Sequence, residues 1–290
     1  IAGAVDLLLK AEKPLIYAGE GVIYAGASAE LKEFAELVNA PVITTLKAKG
    51  AFSEDHPLFV GVRGDQVNHY LNECDLLFAV GSSLSPGRFS HGIPNAVNKT
   101  IVHCTIDELH VNKTYPTAQA VIGDAKFTLE ALNAEVSAKT SGNGRPAGNV
   151  ASEVKSVRDS AMTKYREAMA STEKPINPYK VYAGLMEALD PLTSFVTHES
   201  GNTRDQLSTV YETLVPRGFL GWGNVSSLGF SFAATIAAKQ AFPDKDCVAV
   251  TGEAGLGYML GQLEVALRQN IGITVVHVSN GGFAGYGPGF

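Results

Sequence analysis

The amino-acid sequence predicts an α/β chain of two doubly wound parallel-sheet domains, the second apparently truncated. Short apolar runs, each followed by Gly or Asp, alternate with helix-period segments through the first half, the pattern of parallel strands covered on both faces. A stretch rich in Gly, Pro, Ser and Asn, residues 140–150 (TSGNGRPAGNV), then interrupts the series. Beyond it the alternation resumes and closes on a strand, a helical stretch and a strand, with the strands at 246–251 (DCVAVT) and 273–278 (ITVVHV).

In chain order, the strands of the first half are expected at 15–18, 42–45, 76–80 and 101–106. A helix between the first two places Leu31, Phe34, Ala35 and Val38 on one face. Gly123-Asp124-Ala125 opens another through Phe127, Leu129 and Leu132, ending near Lys139. The first domain is therefore drawn as 1–139, with 140–174 an exposed linker and a polar connecting helix over 151–171. The second, 175–290, begins with a helix through Val181, Leu185 and Leu189 and the strand 194–197. Residues 283–290 are too few to cover a doubly wound sheet, so this domain reads as incomplete.

With 290 residues, 45% hydrophobic and 18% charged, the chain is long enough for two ordinary cores. A net charge of −6 with no basic cluster argues against nucleic acid as partner. The uncharged runs 218–238 and 269–290 are broken by Gly, Ser, Asn and Pro, so neither is expected to span a membrane. The N-terminus lacks the basic flank and cleavage site of a signal peptide, and Cys74, Cys104 and Cys247 suit reduced, strand-buried thiols. The expectation is a cytoplasmic protein acting on a small-molecule substrate.

Parallel strands joined by a right-handed crossover end on one edge of the sheet, so Glu253, after the first closing strand, and Asn280, after the second, can face one point. A hard cation such as Mg2+ takes one or two carboxylates, neutral oxygens and the oxygens of a bound diphosphate. The N–H groups of Gly255, Leu256 and Gly257, at the start of the crossover helix, suit the phosphate charge. These residues point to a metal-bridged diphosphate cofactor. Each also has a plainer reading: Glu253 as an acid beside a helix dipole, Asn280-Gly281 as a turn.

Gly252-Glu253-Ala254-Gly255 and Ser279-Asn280 resemble the diphosphate motif of thiamine-diphosphate enzymes, Gly-Asp-Gly followed later by Asn-Asn. Glu253, Ala254 and Ser279 depart from that pattern, and Asn280 keeps it. Upstream, Thr197 to Thr203 (THESGNT), Pro216 to Gly223 (PRGFLGWG) and Ser226 to Phe230 (SSLGF) are similar, in order and spacing, to the acetolactate synthase, oxalyl-CoA decarboxylase and 2-hydroxyacyl-CoA lyase branch. The resemblance implies metal ligation by Glu253, Asn280 and the carbonyl of Gly282, with Ala254 and Gly255 in the cofactor turn. It implies loop contacts near the diphosphate from Ser200 and Asn202, and a bond from the aminopyrimidine to the carbonyl of Ser226. Leu228 matches the apolar residue that props the cofactor in its bent form, although on its own it reads equally as core.

In the first half, Lys13 to Gly21 (KPLIYAGEG), Ala40-Pro41-Val42 and Lys49 to Pro57 (KGAFSEDHP) resemble the family's central Rossmann-like domain, which binds FAD in some members, ADP in others, and is structural in many. Gly19-x-Gly21 could meet a phosphate, with a structural role the favoured reading. The function implied is Mg2+- and thiamine-diphosphate-dependent lyase, decarboxylase or carboligase chemistry on a 2-oxo acid or acyl-CoA-type substrate, in a homodimer or homotetramer. The activating glutamate is expected in an N-terminal domain outside this sequence, so no catalytic residue is assigned and the chain alone is expected to be inactive. The alternative is a non-catalytic nucleotide-binding or regulatory homologue with a degenerate site. A nicotinamide dehydrogenase is disfavoured, because no GxGxxG is followed by a ribose-binding acid.

Among the histidines only His198, beside Glu199, merits an acid–base test; His103 and His277 read as core residues, and His56 lacks a spaced partner. Arg204 and Asp205 read as a surface or interface pair rather than catalytic groups, and Phe283, Tyr286 and Phe290 as candidate substrate contacts.

Overall fold

The computed structural model describes residues 1–87, 90–146, 148–223 and 225–281. The chain divides into two compact units, 1–162 and 163–290. In the first, β1 (Pro14–Ala18), β2 (Val42–Thr44), β3 (Phe59–Gly61), β4 (Leu76–Val80), β5 (Thr100–Thr105) and β6 (Gln119–Ile122) form a six-stranded sheet ordered β3-β2-β1-β4-β5-β6. Every pairing in it is parallel. β1 and β4 are buried at each position, which is why they read as unbroken apolar runs rather than alternations.

Helices α1 (Ala2–Lys10), α2 (Gly21–Tyr24), α3 (Ser28–Val38), α4 (Asp65–Glu73) and α5 (Ala125–Lys139) accompany this sheet. Asp124 caps α5, its carboxylate accepting from the N–H of Lys126 at 2.9 Å. Leu129, Leu132 and Val136 form the buried stripe of α5, whereas Phe127, expected on it, is exposed. β3, β6 and α4 escape the sequence reading for local reasons: β3 has three residues, β6 is only partly buried, and α4 is largely polar.

The segment 140–150, expected as an exposed linker, is largely exposed among its described residues and is also tied back to the first unit. Arg145 donates from Nη2 to the carbonyls of Ala11 and Glu12 at 2.8 and 2.9 Å, and its backbone N–H donates to Leu37 O at 2.7 Å. A polar composition does not rule out fixed hydrogen bonds. α6 (Val150–Met169) follows and runs across the division between the units.

The second unit contains α7 (Pro178–Ala188), β7 (Ser194–His198), α8 (Asn202–Val210), β8 (Phe219–Leu220), α9 (Phe230–Ala241), β9 (Asp246–Thr251), α10 (Glu253–Met259), α11 (Gln262–Arg268) and β10 (Thr274–His277). Its four strands are ordered β10-β9-β7-β8, all parallel. Asn177 accepts from Tyr179 N–H at 3.0 Å with Pro178 in the first turn, so α7 starts where N-cap chemistry places it. Cys104 and Cys247 are buried thiols on β5 and β9; Cys74, also buried, ends α4 rather than lying in a strand. No helix among the described residues is long and apolar enough to cross a membrane.

Candidate cofactor site

The apolar run 246–251 folds as β9, and its C-terminal end delivers Gly252 to the N-cap of α10 with Glu253 as the first helical residue. β10 pairs with β9 from Thr274↔Val248 to His277↔Thr251, and Val278 N–H extends the register to Thr251 O at 2.8 Å. Parallel pairing therefore brings Ser279, Asn280 and Gly281 beside Glu253. Its Oε1 accepts from Asn280 N–H at 2.6 Å, Gly281 N–H at 2.9 Å and Ser279 Oγ at 3.1 Å. Desolvation pushes this carboxyl up, but hydrogen bonds from its own N–H, Gly281, Asn280 and Ser279 together outweigh it and hold Glu253 below the usual glutamate range. The three neighbours occupy Oε1, leaving Oε2 as the oxygen a cation can use.

Among the described residues no group of three or more His, Cys, Asp and Glu side chains gathers, so a cation here draws on neutral oxygens as well as Glu253. Gly282 lies outside the described residues, as do Phe283, Tyr286 and Phe290. Leu256 N–H, expected to be free for phosphate, donates to Gly252 O at 3.1 Å. α10 starts earlier than that expectation assumed, so its uncommitted N–H groups fall on Ala254 and Gly255, and Gly257 lies inside the helix.

A second cluster forms where β7 ends. Glu199, 1% exposed, accepts at Oε1 from Ser200 N–H at 2.8 Å and Gly229 N–H at 3.0 Å. Its Oε2 accepts from Ser231 Oγ at 2.8 Å and Ser231 N–H at 3.3 Å. Ser200 and Ser226 meet, Oγ to Oγ, at 2.5 Å. Asn202 is exposed at the start of α8, and Leu228, 43% exposed, is surface rather than core. The structure thus joins Ser200 to Ser226 and Glu253 to Asn280, and sets Ala254 and Gly255 in the first turn of α10.

Sequence reasoning passed over the Glu199 carboxylate as a ligand for backbone. Its partners are mostly N–H groups, which leave no residue signature.

His198 is fully buried, its Nδ1 lies 3.0 Å from Glu199 O, and its ring packs on Phe219 and Trp222. It is a packed core residue rather than a group facing the site. His103 is likewise buried, with Nε2 2.8 Å from Ser82 O, as expected of a satisfied core histidine. His277 differs, standing exposed because β10 is the outer strand of the described sheet. His56, expected to lack a partner, has Nε2 3.1 Å from Glu36 Oε1, a contact made across the fold. Arg204 and Asp205, expected as a surface or interface pair, do pair, Nε donating to Oδ1 at 2.6 Å, but Arg204 is buried with its guanidinium 5.4 Å over the Trp222 ring.

Residues 1–132 match the family model for the thiamine pyrophosphate enzyme central domain, and residues 199–287 that for the C-terminal TPP binding domain. The chain belongs to the thiamine pyrophosphate enzyme family. Over 97% of its length it is 31% identical to the probable acetolactate synthase large subunit of Methanococcus aeolicus, covering 48% of that protein. It is 28% identical, over 97%, to the acetolactate synthase isozyme 3 large subunit of Escherichia coli K12, covering 49%. Glyoxylate carboligase of E. coli O157:H7 is 29% identical over 97% of the chain, which covers 47% of that protein. The chain spans about half the length of the curated relatives it matches.

As a thiamine pyrophosphate enzyme central domain, the first unit raises the question of a nucleotide at the crevice between β1 and β4, where the strand order reverses. The Gly19-x-Gly21 turn sits there, but its N–H groups are already donated to Val80 O and Gly81 O, both at 2.9 Å. A Cβ on Gly19 would lie 2.3 Å from Gly81 O, and one on Gly21 2.8 Å from Gly81 Cα. These glycines admit the neighbouring backbone rather than a phosphate. Glu20 between them is also engaged, accepting from Tyr24 Oη at 2.7 Å and pairing with Lys47. The turn does not fit the FAD or ADP phosphate considered for it.

Proposed function

We propose that the second unit holds thiamine diphosphate and Mg2+, and that the protein makes or breaks a C–C bond beside a carbonyl. The convergence of Glu253 and Asn280 at the ends of adjacent parallel strands carries this reading. Glu253 Oε2 and the Asn280 amide offer hard oxygens to Mg2+, and the N–H groups of Ala254 and Gly255 face the diphosphate charge. The Ser200 hydroxyl and Asn202 amide flank that charge, the Ser226 carbonyl accepts from the aminopyrimidine, and exposed Leu228 supplies the apolar support. When bound, thiamine diphosphate supplies the electron sink that such bond changes need.

The names acetolactate synthase and glyoxylate carboligase favour carboligation of 2-oxo acids over an acyl-CoA substrate. Because the chain covers about half of such relatives, we extend the proposal to the whole protein. It works as a homodimer or homotetramer in the cytoplasm, and the 290-residue chain alone, supplied with Mg2+ and thiamine diphosphate, shows no turnover. Product formation by the isolated chain would overturn that last statement.

The second reading, a regulatory homologue with a degenerate site, draws on the three local donors that occupy Glu253 Oε1. Calorimetric titration of the intact protein with thiamine diphosphate, with and without Mg2+, separates the two. Metal-dependent binding that Glu253→Gln weakens supports the enzyme. Binding unchanged by chelator and by Glu253→Gln supports the regulatory homologue.

A further inference from the structure

We infer that Glu199 is a positioning residue for the cofactor site, a buried carboxylate that sets the relative placement of the three segments expected to contact the cofactor and its metal. The inference rests on the cofactor assignment above and extends it to a residue that cannot itself reach the ligand.

The first segment follows β7 and carries Ser200 and Asn202; Ser200 N–H is bonded to Glu199 Oε1 at 2.8 Å. The second carries Ser226 and Leu228 into α9, and its Gly229 and Ser231 hold the two carboxylate oxygens at 3.0 and 2.8 Å. The third is α10 with Glu253 and Ala254. Its Gly255 lies so close that a Cβ there would stand 2.2 Å from Glu199 Cγ and 2.6 Å from Oε2. Glu199 is thus wedged among all three.

Its charge is matched to the place. The carboxylate lies at the N-terminal end of the twelve-residue α9, where otherwise unbonded N–H groups and the helix dipole favour an anion. A carboxylate only accepts, and all four recorded contacts are donations to it. At 1% exposure, Glu199 acts through what it holds: the Ser200–Ser226 hydroxyl contact at 2.5 Å joins the first two segments directly outside it.

Glutamine has the same shape but turns one oxygen into a donor, leaving at least one buried N–H facing another donor. Ser231→Ala removes one side-chain donor to Glu199 at a residue that is 0% exposed, so it loosens the carboxylate without altering a group expected to meet the ligand. The test is calorimetric titration of the intact protein with thiamine diphosphate at saturating Mg2+, well below the unfolding midpoint of each cofactor-free variant.

Glu199→Gln is expected to weaken binding about tenfold and Ser231→Ala about threefold, from the unmade bonds alone. A purely structural role would lower the unfolding midpoints and leave the affinity of the folded protein untouched; that result, in both variants, overturns the inference. If Glu199→Gln fails to fold, Ser231→Ala decides by the same criterion. Absence of binding by the wild type overturns the cofactor assignment, and this inference with it.

Discussion

Glu253 shows how one methylene changes the work of a side chain. Its Oε1 reaches three donors on the turn after β10, contacts that the shorter aspartate makes less well from the same backbone. Glu253→Asp is therefore expected to weaken thiamine diphosphate binding as well as Glu253→Gln, by on the order of tenfold for lost charge-assisted bonds. Tighter binding by the aspartate variant in the same titration would mark the glutamate as a degenerate replacement. Gly229 is constrained differently: φ is +87°, and a Cβ would sit 2.0 Å from Met259 Cγ. Gly229→Ala should cost about 1–3 kcal/mol in denaturant unfolding, through left-handed backbone strain and displacement of Met259. A change below 0.5 kcal/mol would show that the turn relaxes freely.

At the scale of elements, an ion pair ties the connection between β2 and β3 to itself. Lys49 and Glu54 are 1% and 3% exposed, and Nζ lies 2.7 and 2.6 Å from the two carboxylate oxygens. Removing one partner leaves a buried charge, so Lys49→Met is expected to cost about 3–5 kcal/mol, and Lys49→Met with Glu54→Leu distinctly less. Equal losses in the two proteins on urea unfolding would show that the pair itself, not the stranded charge, carries the energy. The sequence shows both residues within KGAFSEDHP but not their burial, which depends on the sheet the loop crosses. Likewise, 246–251 and 273–278 are legible as strands from β-branched apolar runs, whereas two-residue β8 is defined only by pairing Phe219 and Leu220 with β7.

For the molecule as a whole, pH acts through histidines that folding keeps neutral. Desolvation drives His91, beside Tyr17 Oη at 3.2 Å, down to about 4, and also lowers His103. The unfolded chain, with ordinary histidine near 6.5, takes up the proton first; stability from this source is complete above that pH and is lost as pH falls toward 4. The unfolding midpoint should drop between pH 7 and pH 4.5, and His91→Gln should flatten the slope; an identical slope would assign the loss to other groups. Association is the other property at this scale. Tyr258, Leu260, Leu263 and Leu267, on and between α10 and α11, are 73, 53, 42 and 83% exposed, apolar surface that association can bury. Sedimentation of the intact protein should show at least a dimer, and a monomer with cofactor bound would count against the proposed assembly.

Periodicity, turn residues and motif order in this chain are local properties. They are sufficient for the α/β class, the main strands, the start of α5, and the pairing of Glu253 with Asn280 across one crossover. Tertiary structure alone decided that Gly19 and Gly21 admit the Gly81 backbone, that Arg204 and His198 are buried, and that Glu199 holds three segments together. Each depends on which backbone groups arrive from distant parts of the chain. A main-chain N–H is the same in every residue but proline, so its destination leaves no mark in the sequence.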